Sequence, residues 1–241
     1  MSNIAEKLTQ VAENMPLVKE AGIAHERKRF WDIYQDYGKR TNYQNAFYMY
    51  TEDIFHPIYP IKPTGSGMNM FNNCKIKRDM VEYFAELGIE FDTSGITNYT
   101  QVFSSSFFTR IGVVDMSKAT ATNSCFATWT TPFLEQIDKV IVAETTGYSG
   151  TFSYQTKLKE IRFEGVIGQN GVNFQWSTLL SKESLISIIN ALSSTTTGLT
   201  VTLSKTAVNN AFGINVDDAS TYTDEWNNLR KSKSNWTFNF A

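Results

Sequence analysis

Three glycines spaced by three, Gly165, Gly168 and Gly171 in "LKEIRFEGVIGQNGVNF", invite a chemical reading first, because a glycine-rich turn lets backbone N–H groups close around a phosphate. The spacing argues against it. The segment lacks the Lys-Ser/Thr of a phosphate loop and the Gly-x-Gly-x-x-Gly order of a dinucleotide fold. The glycines fill the turn between Phe163 and Phe174, where a comparable stretch has "DMSKATATNSCF", so a bend at positive φ is expected there. The only histidines, His25 and His56, stand in no metal-ligand spacing, and no Gly-x-Ser-x-Gly elbow occurs. Asp217 and Asp218 are adjacent and loop-like, which suits helix capping better than paired-carboxylate hydrolysis. Cys74 and Cys125 are too few for a metal cage or a disulfide framework and are expected to be buried small hydrophobes. The expectation is a protein with no catalytic residues, no metal and no cofactor.

What remains is a surface. Phe107, Trp129, Tyr148, Tyr154 and Trp176 stand among Ser, Thr and Asn in "SSSFF", "TATNSCFATWTT", "TTGYSGTFSY" and "NFQWST". Aromatic rings set among small hydroxyls make an adaptable binding surface for protein or sugar. The same composition also serves tight turns with the rings inside, and both readings stay open for each residue.

The elements that would position these rings repeat. Phe71, Phe103, Phe126, Phe152 and Phe174 recur at intervals of 32, 23, 26 and 22 residues. Between them, Phe108, Leu134 and Leu158 are each followed three residues on by Ile111, Ile137 and Ile161, in steps of 26 and then 24. Such periods mark leucine-rich repeats, where each coil buries its apolar side only by stacking on its neighbours. Two coils carry helices, "KRDMVEYFAELG" and "SKESLISIINALS". In the second, Ser181 suits the cap, and Leu185, Ile188, Ile189 and Leu192 form an apolar face. "LTVTLS" reads as a closing strand, "DDASTYTDEWNNLRKS" as a helix and "NWTFNF" as a last strand.

Upstream, residues 2 to 37 read as helix. Ile4, Leu8, Val11, Met15 and Val18 make a short coiled-coil-like stripe interrupted by Pro16. It either packs on the chain's own body or serves attachment and self-association. Ten aromatics fall between Phe30 and Tyr59, a cluster that either fastens this helix to the rest or forms an interface core. Pro57, Pro60, Pro63, Gly65 and Gly67 mark a boundary. The expected fold is α+β: residues 1–60 as a helical attachment or oligomerisation region, a linker over 61–67, a leucine-rich repeat solenoid over 68–204, and a helix/strand cap over 205–241.

The 241 residues carry 22 Lys plus Arg against 24 Asp plus Glu, so no global field draws the chain to nucleic acid or to an acidic membrane. With no secretory signal and no long apolar stretch, membrane insertion is not expected, and the chain is expected to stay in a cytoplasm until lysis.

"MNMFNNCKI", "VFSSSFFTRIGVVD" and "FSYQTKLKEIRFEG" resemble the BspA-like class of leucine-rich repeat, a fold signal over residues 68 to about 175 that implies little about function. "NIAEKLTQVAEN", "FWDIYQDYG", "TNYQNAF", "FEGVIGQNGVNFQWSTLLS" and "SLISIINALS" resemble proteins encoded near tail and baseplate genes of phages and prophages of Gram-positive bacteria. The ending departs from that pattern, since residues 205–241 are longer and less regular than a short helix with a "GW" strand. The resemblance implies a virion structural protein, in a tail, baseplate or other appendage, with other virion proteins as partners. A homo-oligomer, taken as a trimer, and recognition of a host-surface glycan or protein are expected with it. A bacterial surface adhesin, an intracellular interaction scaffold and a glycan hydrolase are the alternatives.

Overall fold

Two residues before each of Phe47, Phe71, Phe103, Phe126 and Phe152 the backbone turns left-handed, at Asn45, Asn69, Gln101, Ser124 and Gly150 (φ 54–63°). These are residue types with short polar side chains, no side chain or an unbranched Cβ, which tolerate that conformation best. The computed structural model describes residues 42–51, 55, 57 and 59–241, together with Met15, Glu20 and Gly22. Its turns lie one above another. Phe47 N–H donates to the Met70 carbonyl (2.8 Å), Phe71 to Val102 (2.7 Å), Phe103 to Cys125 (2.8 Å) and Phe126 to Thr151 (2.9 Å). The rings follow the backbone. Phe47, Phe71, Phe103, Phe126, Phe152 and Phe174 form one file, with successive centroids 5.0, 5.7, 5.5, 5.5 and 4.5 Å apart. All six are buried, and each contributes roughly 1.5–3 kcal/mol by leaving water.

Among the described residues the strands of more than one residue lie in three separate parallel sheets. β1 (Gly65–Ser66) pairs with β2 (Ile96–Asn98). β3 (Arg110–Met116), β4 (Gln136–Val142) and β5 (Glu160–Gly165) form the second sheet, with Ile111 opposite Ile137 and Ile137 opposite Ile161, all three buried. β6 (Asn173–Phe174), β7 (Leu199–Leu203) and β8 (Trp236–Phe240) form the third. Four α-helices lie wholly within the described residues: α1 (Met80–Glu86), α2 (Lys182–Ala191), α3 (Lys205–Phe212) and α4 (Asp224–Lys231).

This overturns the expected fold class. The chain is mixed α/β with three small sheets, and a leucine-rich repeat solenoid behind an N-terminal helical region is not the architecture. Helices are the physical reason the strands stop. Asp79 caps α1 through Val81 and Glu82 N–H (2.8 and 3.1 Å), and α1 packs beside β3. On the far side α2 lies along β5 in place of a strand: the Ser184 and Ser187 hydroxyls accept from Ile161 and Phe163 N–H, each at 2.9 Å. Side-chain hydroxyls thus satisfy donors that a further strand would have taken. Leu185, Ile188, Ile189 and Leu192 form the buried face of α2, and Ser181 caps it.

Other expectations change in detail. "LTVTLS" is a central strand, β7, flanked by β6 and β8, so it closes nothing. Residues 61–67 carry β1 and an Ile61–Phe91 bridge. α3, which sequence periodicity missed, begins at its Ser204 cap and ends at Gly213 in the left-handed conformation. Trp226 of α4 is fully buried against Phe212, Phe238 and Phe240, joining α3, α4 and β8. The glycines of the opening motif lie against the preceding turn. Gly165 has φ +100°, where an added Cβ would meet the Val142 carbonyl, and a Cβ on Gly168 would stand 2.6 Å from the Glu144 carbonyl oxygen. Ile4, Leu8, Val11, Val18, His25 and His56 lie outside the described residues; Met15 of the same stripe is helical and 65% exposed.

Candidate recognition surface

Each file phenylalanine from Phe126 onward is followed, two or three residues later, by a large ring pointing the other way. Trp129 follows Phe126, Tyr154 follows Phe152 and Trp176 follows Phe174, with exposures of 62%, 43% and 42%. Large aromatics normally bury most of their area, so three exposed in one place are informative. They touch one another: Trp129 and Tyr154 centroids are 5.6 Å apart, and Tyr154 and Trp176 are 5.2 Å apart and nearly parallel at 19°. The strip is held from below. Trp129 N–H donates to the Ser105 hydroxyl (3.1 Å) and Thr128 N–H to the Ser153 carbonyl (3.1 Å). Tyr154 takes φ +61°, at a turn position also left-handed at Met49, Asn73 and Ser105. That conformation costs a non-glycine residue about 1–2 kcal/mol. Exposed Thr130, Thr131, Thr156 and Thr178 supply hydroxyls around the strip.

Two of the other rings expected to face a ligand behave differently. Tyr148 does not: it is fully buried and packs on Phe152 (6.5 Å), so its assignment to the ligand-facing set is corrected. Its position four residues before Phe152 places it inside the turn, and burial pushes its phenol pKa upward. Phe107 is half-buried and stacked on Phe133 at 4.3 Å, beside the strip and outside it. Sequence reasoning missed Phe133, and with it Lys77 and Lys157, whose ammonium groups lie 5.1 and 5.7 Å from its centroid. No periodic signal marks those lysines. Phe47, also missed as a member of the file, was detectable, because Asn45-Ala-Phe47 repeats Asn69-Met-Phe71 at an interval of 24.

Two depressions offer other chemistry. One, of about 320 Å³, is lined by Arg110, Gln136, Asp138, Glu160 and Arg162. Its carboxylates are engaged within the protein. Arg110 donates to both Asp138 oxygens (2.7 and 2.8 Å) and reaches Asp79 at 3.3 Å, while Glu160 accepts from the Ser181 (2.9 Å) and Ser184 (3.2 Å) hydroxyls. Those bonds raise the Arg110 pKa further above its usual value, Asp138 contributing most. With its carboxylates bonded to Arg110 and to serine hydroxyls, the depression is built as a brace between neighbouring segments. The other, of about 280 Å³ and lined by Met80, Val81, Phe84, Phe91 and Val113, is an apolar groove between α1 and β3.

Comparison of the chain with protein-family models, with curated proteins and with solved structures found no match.

Proposed function

We propose that the protein works by binding, as a recognition component of a phage particle that holds a host-surface glycan against the strip formed by Trp129, Tyr154 and Trp176. The observation that carries the binding half is that strip: three exposed rings on consecutive turns, each touching the next, bordered by threonine hydroxyls. Sugar rings present apolar C–H faces and equatorial hydroxyls together, and aromatic faces beside short hydroxylated side chains complement both. The rings are anchored to a stacked core, so little ordering entropy is lost on binding. The particle half is supported by the resemblance of five segments between Asn3 and Ser193 to proteins encoded near tail and baseplate genes.

The test is a glycan array probed with the full chain and with Trp129→Ala and Trp176→Ala, followed by peptide mass fingerprinting of purified particles. Each substitution is expected to weaken binding by roughly ten-fold or more, as truncation of a central aromatic contact does. Both variants should melt with the parent, since the two rings are surface groups. An array with no bound glycan, or one bound equally by both variants, overturns the binding half. Particles without this chain overturn the other.

A further inference from the structure

A second row of side chains runs beside the aromatic strip, and it carries charge. Arg110 faces Gln136 and Gln136 faces Glu160 across β3, β4 and β5. Three residues back on each of these segments, the same register sets Phe107, Phe133 and Lys157 side by side. The ring contact at 4.3 Å and the Lys157 ammonium 5.7 Å from the Phe133 centroid agree with that placement. Lys77 arrives over the same ring from the preceding turn, at 5.1 Å. Trp129 precedes Phe133 by four residues and Tyr154 precedes Lys157 by three, so the two rows adjoin.

Both lysines are exposed, and among the described residues neither has a carboxylate partner. Lys139, Lys159, Lys182 and Lys205, by contrast, are all in ion pairs. Glu135, two residues beyond Phe133, is already held by Lys159 at 2.6 Å. Two like charges therefore approach one ring uncompensated, in a chain whose formal net charge is −2. Their mutual repulsion is relieved by an anion lying between them, and the apolar rings beside them lower the local dielectric in which it would sit.

We propose that the surface takes an anionic glycan, its sugar rings on Trp129, Tyr154 and Trp176 and its charged substituent between Lys77 and Lys157. This rests on the glycan reading above and narrows it to a class. The lysines act as point charges and set the preference for an acidic polymer over a neutral one of the same backbone.

Dextran and dextran sulfate share a backbone and differ in charge, so affinity electrophoresis of the full chain in gels containing one or the other separates the two contributions. The parent is expected to bind dextran sulfate at least about ten-fold more tightly than dextran, and Lys77→Met/Lys157→Met to lose that margin while keeping its affinity for dextran. Lys118→Met/Lys231→Met removes the same charge from the far end of β3 and from α4, and is expected to keep the margin. Trp129→Ala should weaken both ligands. Equal binding of the two polymers by the parent, or a margin that survives in Lys77→Met/Lys157→Met, overturns the anionic class and leaves the glycan reading standing. Binding of neither polymer overturns the anionic class, while the glycan array decides the reading it rests on. A single-stranded oligonucleotide bound as tightly as dextran sulfate overturns the proposal too, because charge alone would then account for retention.

Discussion

Replacing Phe126 by alanine tests whether the file of rings is the structural axis. Phe126 is fully buried, with Phe103 on one face at 5.5 Å and 2° and Phe152 on the other at 5.5 Å and 13°. Removing the ring forfeits its burial, about 1.5–3 kcal/mol. It also breaks two stacked pairs, each contributing about 0.5–1.5 kcal/mol beyond area. The sum, about 2.5–6 kcal/mol, brackets the range of about 3–5 kcal/mol measured for such truncations. Backbone bonds on both sides of Phe126 hold the turns in place, so the site cannot collapse to fill the void, and the upper half of the range is expected. For a domain of this size that loss corresponds to a fall in Tm of roughly 10 °C. Phe126→Leu keeps most of the volume and loses only the two ring pairs, so it should cost about 1–3 kcal/mol, less than Phe126→Ala. Urea denaturation followed by circular dichroism, with m compared across the parent and both variants, reads these differences. A loss below about 1 kcal/mol for Phe126→Ala, or one no larger than that of the exposed Trp129→Ala, would refute the argument that stacking along this axis holds the turns together.

Gly168→Ala places a Cβ 2.6 Å from the Glu144 carbonyl oxygen and should destabilise by about 1–3 kcal/mol in thermal melts, whereas Gly147→Ala meets nothing within 4 Å and should be neutral. Burial pushes the Cys74 thiol up to about 12 and raises that of Cys125 as well, so neither should react with Ellman's reagent near pH 8 until denaturant is added; prompt labelling of the folded chain contradicts their placement. Asp92 is held below its usual carboxylate value, chiefly by the Ser94 N–H bond at 2.8 Å. A depressed folded-state pKa stabilises above the unfolded value and is lost as pH falls through the folded one. Asp92→Asn should therefore reduce stability at neutral pH and flatten the acid limb of stability below about pH 4, measured by urea titration, while an unchanged limb would dismiss the contribution.

Local recurrence was legible from residues alone, because phenylalanine and isoleucine return wherever the backbone does. Ile111, Ile137 and Ile161 fall opposite one another at the spacing the sequence displays. Where the strands end was not legible. That is decided by docking of α1 and α2 at the two sides of one sheet, α2 through serine hydroxyls whose targets are more than twenty residues away. Tyr148 shows the limit of composition as a guide. Its neighbours Thr145, Thr146 and Ser149 resemble a hydrated loop, yet the Thr146 hydroxyl reaches inward to the Met116 carbonyl (3.3 Å) and Thr151 donates to the Thr122 carbonyl (3.1 Å). Hydroxyls here satisfy buried backbone, so they conceal an interior behind a polar sequence. Phe47 was hidden for the opposite reason: its run of aromatics reads as a local cluster, which obscures one member belonging to a longer series.

The rise from one file phenylalanine to the next stays between 4.5 and 5.7 Å, although the chain spends anywhere from 22 to 32 residues in getting there. The longest interval is the one that contains α1. Contour length and axial advance are therefore decoupled: extra residues are absorbed sideways, in excursions that leave the pitch unchanged. Such a molecule can acquire or shed segments between two rings at little thermodynamic cost, since lengthening a loop adds entropy only logarithmically. Variation of that kind would redraw the exterior, including what stands beside Trp129 and Lys157, while the phenylalanine axis kept its spacing.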